Sequence, residues 1–104
     1  MGKYVLTWES RLGASAEENE ATAKRTLQVF SNWTPDDRID IHEFLARADG
    51  QGGYMVVSTD DLAALAGEIA KFAPFNYNTL HPVLEIADGA AMGVAAIEFR
   101  DGVS

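Results

Sequence analysis

Four strand-patterned segments and two helix-patterned ones follow each other in the order β-α-β-β-α-β. That order predicts an α+β fold, a ferredoxin-like sandwich in which a four-stranded antiparallel sheet carries its helices on one face. Two further observations agree. The chain has 104 residues, of which 47% are hydrophobic and 23% charged, the length and balance of one globular domain over residues 1–104. Pro82 also falls in the last strand-patterned segment, which this topology places at a sheet edge, where a missing backbone donor is tolerated.

Each element has a local reason. Lys3 to Glu9 is rich in β-branched and aromatic residues and is followed by Arg11-Leu12-Gly13. Ser15 with Glu18 three residues on is a capping box, and the helix it opens runs to about Asn32. Ala16, Ala23, Leu27 and Phe30 form its expected inner side, and Glu17, Glu20, Lys24 and Gln28 its wet side. Trp33-Thr34-Pro35-Asp36-Asp37 is turn chemistry. Arg38 to Ala48 reads as the second strand, Asp49 to Gly53 as a hairpin loop and Tyr54 to Ser58 as the third strand. Ser58-Thr59-Asp60-Asp61 supplies an N-terminal cap for a helix striped by Leu62, Leu65, Ala66, Ile69 and Phe72, which Pro74 ends. The fourth strand lies within Asn76 to Ala87. After Asp88-Gly89, an Ala-rich stretch at about residues 90–100 reads as a C-terminal helix.

The formal net charge of −8 repels nucleic-acid phosphates and anionic lipid. The third strand also has one aromatic residue and no cation, where an RNA-recognition sheet requires basic and aromatic residues, so neither nucleic acid nor membrane is an expected partner. Without cysteine there are no disulfides or thiolate ligands. The stretch Met1 to Leu6 lacks the apolar core of a signal peptide, and no apolar run approaches the roughly 20 residues of a membrane span, so a cytoplasmic location is expected.

The strands alternate poorly. Tyr4, Leu6 and Trp8 point one way and Val5 the other, while Tyr54 and Val56 oppose Met55 and Val57. Two helices cover one sheet face only, so the second apolar face calls for the third helix, a second chain or a ligand. A homodimer through the sheet face is the expectation, because large exposed apolar patches are rare on monomers.

The segments Tyr4-Val5-Leu6-Thr7-Trp8, Gly53-Tyr54-Met55-Val56-Val57, Thr59-Asp60-Asp61 and His81-Pro82-Val83-Leu84 resemble a bacterial domain-of-unknown-function family. That family looks like a dimeric α/β-barrel of ferredoxin-like subunits, similar to the antibiotic-biosynthesis monooxygenase superfamily. The resemblance spans roughly Lys3 to Ala91 and implies a sheet-to-sheet dimer with a cavity between sheet and helices. It carries over no catalytic residue, and Glu43-Phe44 stands where the family pattern has a Trp-containing pair.

Four residues are candidates for ligand binding: Trp8, His42, Tyr54 and His81. The histidines are the groups suited to acid–base work near neutral pH, although edge-strand histidines that are merely solvated or bonded to backbone are commoner. By strand parity His42 shares a face with Phe44, and His81 with Val83. Trp8 and Tyr54 suit a pocket for a flat apolar molecule, or simply the core or a dimer interface. Trp33 reads as corner packing, and Asn76-Tyr77-Asn78 as turn residues able to orient a ligand. Gly50-Gln51-Gly52-Gly53 leads into a strand and not a helix, so it is a hairpin and not a phosphate cradle. No spacing suits a metal, and no cofactor is implied. Two functions follow from these residues. One is a dimer binding a small apolar or aromatic molecule, with cofactor-independent oxygenase or isomerase chemistry as its catalytic form. The other is a non-catalytic sensing or interaction module whose apolar sheet face serves assembly alone.

Overall fold

The computed structural model describes residues 1–104. Its elements are β1 (Gly2–Ser10), α1 (Ala16–Ser31), β2 (Ile39–Ala46), β3 (Gly52–Thr59), α2 (Leu62–Ala70), β4 (Asn76–Val83) and α3 (Ile86–Asp101). The strands form one antiparallel sheet in the order β2-β3-β1-β4, with β1 and β3 central, which is the ferredoxin-like arrangement expected. Pro82 is on the edge strand β4.

The caps form as the sequence predicts, with one shift. Ser15 Oγ accepts from the Glu18 N–H at 3.1 Å, while the Glu18 carboxylate reaches back one residue further, to the Ala14 N–H at 2.9 Å. Asp61 caps α2 by accepting from the Ala64 N–H at 2.9 Å. The Thr59 hydroxyl accepts from the Asp61 N–H and donates to the Arg38 carbonyl, joining the end of β3 to the entry of β2. Several boundaries move. β2, expected from Arg38 to Ala48, spans Ile39–Ala46. Pro74 lies beyond the end of α2, inside a run of tight turns. Gly53 and Gly52 belong to β3 and not to the hairpin loop. The last helix begins at Ile86, so Gly89 falls inside it.

Register assigns the two faces. Tyr4, Leu6 and Trp8 stand beside Val57, Met55 and Gly53 across β3, and beside Pro82, Leu80 and Asn78 across β4. This face meets α1 and α2. Its core is Leu6, Ile39, Met55, Val57 and Leu65, with Tyr4, Trp8, Trp33, Ile41, Ile69 and Leu80 packed around it. The other face carries Val5, Thr7, Tyr54, Val56, Thr79 and His81, and no element of the chain covers it.

Two side-chain placements differ from strand and helix periodicity. Between Ile41 and Glu43 the β2–β3 register slips by one residue, a β-bulge. Phe44 consequently pairs with Met55 on the helix side, whereas His42 turns to the open face and its Nε2 lies 2.7 Å from Ser58 Oγ. The shared face expected for His42 and Phe44 is therefore broken. On α1 the more enclosed line is Asn19, Thr22, Thr26 and Val29. Leu27 and Phe30, expected inward, are 65% and 47% exposed.

The polar corners are tied by charge. Asp36 accepts from the Arg38 N–H at 2.9 Å and from its guanidinium at 2.6 Å, and Arg38 continues to Asp61 at 3.0 Å. The Arg38 side-chain hydrogen bonds, then its backbone one, hold the Asp36 carboxyl well below the usual carboxylate range. Asp49 is lowered by the Gln51 N–H and then by Arg47, and Glu85 by the Lys3 ammonium. Depressed folded-state values mean stability that is present above the unfolded carboxylate range, near pH 4, and lost as pH falls through the folded values. The thermal midpoint is thus expected to be flat from pH 7 to about 5 and to fall below about 4. Asp36→Asn should lower the neutral-pH midpoint and shallow the acid slope, as read by circular dichroism at stepped pH.

Candidate functional site

Between α1, α2 and the helix face of the sheet lies a cleft of about 470 Å³. Eleven of its fifteen lining residues are hydrophobic, the makeup of a small-molecule pocket more than of a charged active site. From α1 the cleft is lined by Thr26, Leu27 and Phe30, of which Leu27 and Phe30 remain largely exposed.

Aromatic rings form the wall. Phe44 meets Trp8 edge-on at 5.5 Å and Trp33 at 6.2 Å, Phe30 lies 5.8 Å from Trp33, and Phe72 lies 5.4 Å from Trp33. These spacings are those of mutually stabilising edge-to-face and tilted pairs. The β2 bulge is what delivers Phe44 to this wall, and the chain's passage from α1 to β2 delivers Trp33. Gly53 is the third requirement. A Cβ there would lie 2.3 Å from the Trp8 ring and 2.3 Å from the Leu45 carbonyl oxygen, so the absence of a side chain seats Trp8.

The polar groups are few. Glu68, buried on α2, accepts from the Trp33 indole N–H and from Lys71 Nζ at 2.8 Å. Such a carboxylate fixes the indole in the wall, and its lysine partner compensates the charge. Asn76 and Asn78, at the start of β4, and Thr26 on α1 also line the cleft. Glu68 is the one titratable side chain among the lining residues.

The opposite face holds a smaller depression of about 260 Å³ bordered by Thr7, Glu9, Arg47, Tyr54, Tyr77 and Thr79, with Trp8 touching its edge. Arg11 stacks over the Tyr77 ring at 4.1 Å from its centroid. The four residues singled out in the sequence therefore do not converge. Trp8 lines the cleft, Tyr54 borders the open-face depression, and His42 and His81 line neither of the two. The His42–Ser58 contact has nucleophile–base spacing, but His42 makes no second side-chain hydrogen bond that would orient its ring. No three His, Asp or Glu side chains converge to hold a metal ion.

Sequence reasoning passed over Phe30, Phe44, Phe72 and Glu68, and it gave Trp33 a corner role. Element order offered no signal for this wall: β1 and β3 run antiparallel, so α1 and α2 do too, and only the tertiary structure brings Phe30 and Trp33 against Phe72, just past the end of α2.

The element order, the sheet order β2-β3-β1-β4 and a ring-lined cleft between helices and sheet make this a ferredoxin-like protein. Residues 2–97 match the family described as a domain of unknown function, DUF3303, and the chain belongs to that family. No curated protein matches it. Among solved structures it is similar to At3g17210 from Arabidopsis thaliana, with 16% identity, 82% of this chain and 95% of the other covered, and a TM-score of 0.33. It is also similar to the de novo designed protein Foldit4, with 16% identity, 80% and 98% coverage, and a TM-score of 0.32. No helix is long and apolar enough to cross a membrane.

Proposed function

We propose that the protein is a homodimer, formed through the open sheet face, whose subunits each bind a small, flat, apolar or aromatic molecule in the cleft between helices and sheet. The observation that carries this reading is the wall of Trp8, Phe30, Trp33, Phe44 and Phe72 around about 470 Å³ of space, with Phe30 and Phe44 still 47% and 42% exposed. A core of the usual density would have closed over these rings. Asn76, Asn78 and Thr26 supply the few polar groups that orient a ligand. Of the four residues the sequence singles out, Trp8 enters this proposal as a wall residue. Tyr54, His42 and His81 enter it as residues of the dimer face.

Turnover of the oxygenase or isomerase kind would have to use Glu68 as its acid–base group. Its engagement with Trp33 and Lys71 favours binding without chemistry, as in a sensing module. Titration with 1-naphthol, followed by Trp8 and Trp33 fluorescence, tests the pocket. Saturable quenching that weakens at least about tenfold in Phe30→Ala is expected. Unchanged fluorescence up to millimolar probe would leave the interaction module as the function.

A further inference from the structure

Every residue from Leu84 to Ser104 is exposed, including all of α3. Ile86 is 89% and Phe99 73% exposed, and Met92, Val94 and Ile97 are at least half exposed. From Gly89 to Ile97 the helix has no charged residue, and its apolar groups are spread around the axis instead of along one stripe. A helix that is apolar all round is a buried helix, and a lone helix of this length is marginal in water. In the chain by itself it stands away from the body. The radius of gyration is 18.3 Å against about 13 Å for a compact chain of this length, and the longest dimension is 63 Å.

The shortfall in burial is measurable. The accessible surface is 7324 Å². A compact monomer of 11.3 kDa exposes about 5,700 Å², so each chain carries about 1,600 Å² too much. Two chains that hid this surplus against each other would bury about 3,200 Å² in total, within the range of obligate dimers. Two parts of the surplus recur in every copy and face no element of their own chain, an uncovered helix and an uncovered sheet face with Leu45, Tyr54 and Val56 on it. One twofold contact between identical chains serves both parts at once, and a closed pair leaves neither open.

We infer that α3 is an exchanged arm: it leaves its own subunit at the β4 edge and packs against a second copy of this chain, burying its Gly89–Ile97 stretch there. The two residues between Val83 and Ile86 carry the crossing, and the Lys3–Glu85 ion pair anchors it to the parent β1 strand. This inference rests on the homodimer proposed above and adds which element is exchanged.

The test uses the full chain with a benzophenone photo-crosslinker in place of Met92, prepared as an equal mixture of ¹⁴N- and ¹⁵N-labelled protein. Sedimentation equilibrium of the unmodified chain is run in parallel. A dimer whose cross-linked peptides pair the two isotopes is the expected result, with Ile97→Glu weakening the dimer at least about tenfold. A dimer giving only same-isotope cross-links, or none, overturns the exchange and leaves the sheet-face dimer standing. A monomer at all accessible concentrations overturns both.

Discussion

Gly53→Ala is expected to lower stability by about 2–3 kcal/mol and to shift Trp8 fluorescence, an unusually large effect for adding one methyl group to a strand. A glycine in mid-strand is ordinarily weakening, so alanine there would be neutral or better. Here the added Cβ meets the Trp8 ring and the Leu45 carbonyl at 2.3 Å each, and neither obstacle moves cheaply. The carbonyl is backbone of the neighbouring strand. The ring is held by Phe44, itself in contact with Phe30 and Trp33. The strain therefore passes into the cleft wall, and ligand affinity should fall along with stability. Urea unfolding of Gly53→Ala beside Gly50→Ala makes the comparison. Gly50 has nothing within 4 Å of its Cβ position, but its φ of 74° is left-handed, so its penalty should be about 1 kcal/mol and confined to the turn. Equal, small losses in both variants would remove Gly53 from its seating role.

Leu65→Ala and Leu27→Ala are expected to separate core from cleft. Leu65 is 2% exposed and packs in the small central cluster, so its truncation should lower stability by about 3 kcal/mol, or roughly 15 °C in the thermal midpoint. Leu27 lines the same cavity at 65% exposure. Its truncation removes little buried surface and should change stability by less than about 0.5 kcal/mol. If the cleft is a binding site, Leu27→Ala should nevertheless weaken 1-naphthol binding several-fold. Losses of similar size in both variants would mean that α1 closes onto the sheet in solution and that the rings are core.

Much of the fold was legible from local rules. The two caps, at Ser15 and Asp61, are short-range hydrogen-bond patterns and appeared where expected. The topology followed from element order, and Pro82 marked the edge strand. The candidate site was far less legible. Of Trp8, His42, Tyr54 and His81, the cleft contains Trp8 alone, because a sheet has two faces and strand parity does not say which face meets the helices.

Element order, the antiparallel sheet, the helix starts and the acidic charge all follow from the order and composition of the residues. These depend on neighbouring residues, on periodicity and on composition. The tertiary structure alone decided three things. A bulge at His42 inserted one residue into the β2 register, placing Phe44 among the aromatic rings and turning His42 to Ser58 on the other face. The seating of α1 put threonines inward and left Phe30 and Leu27 beside open space. Finally, α3 stands clear of the rest of the chain. Each depends on contacts between segments distant in sequence, where a one-residue slip or a modest rotation about a helix axis changes what a side chain touches. Periodicity describes a segment in isolation and is blind to such choices.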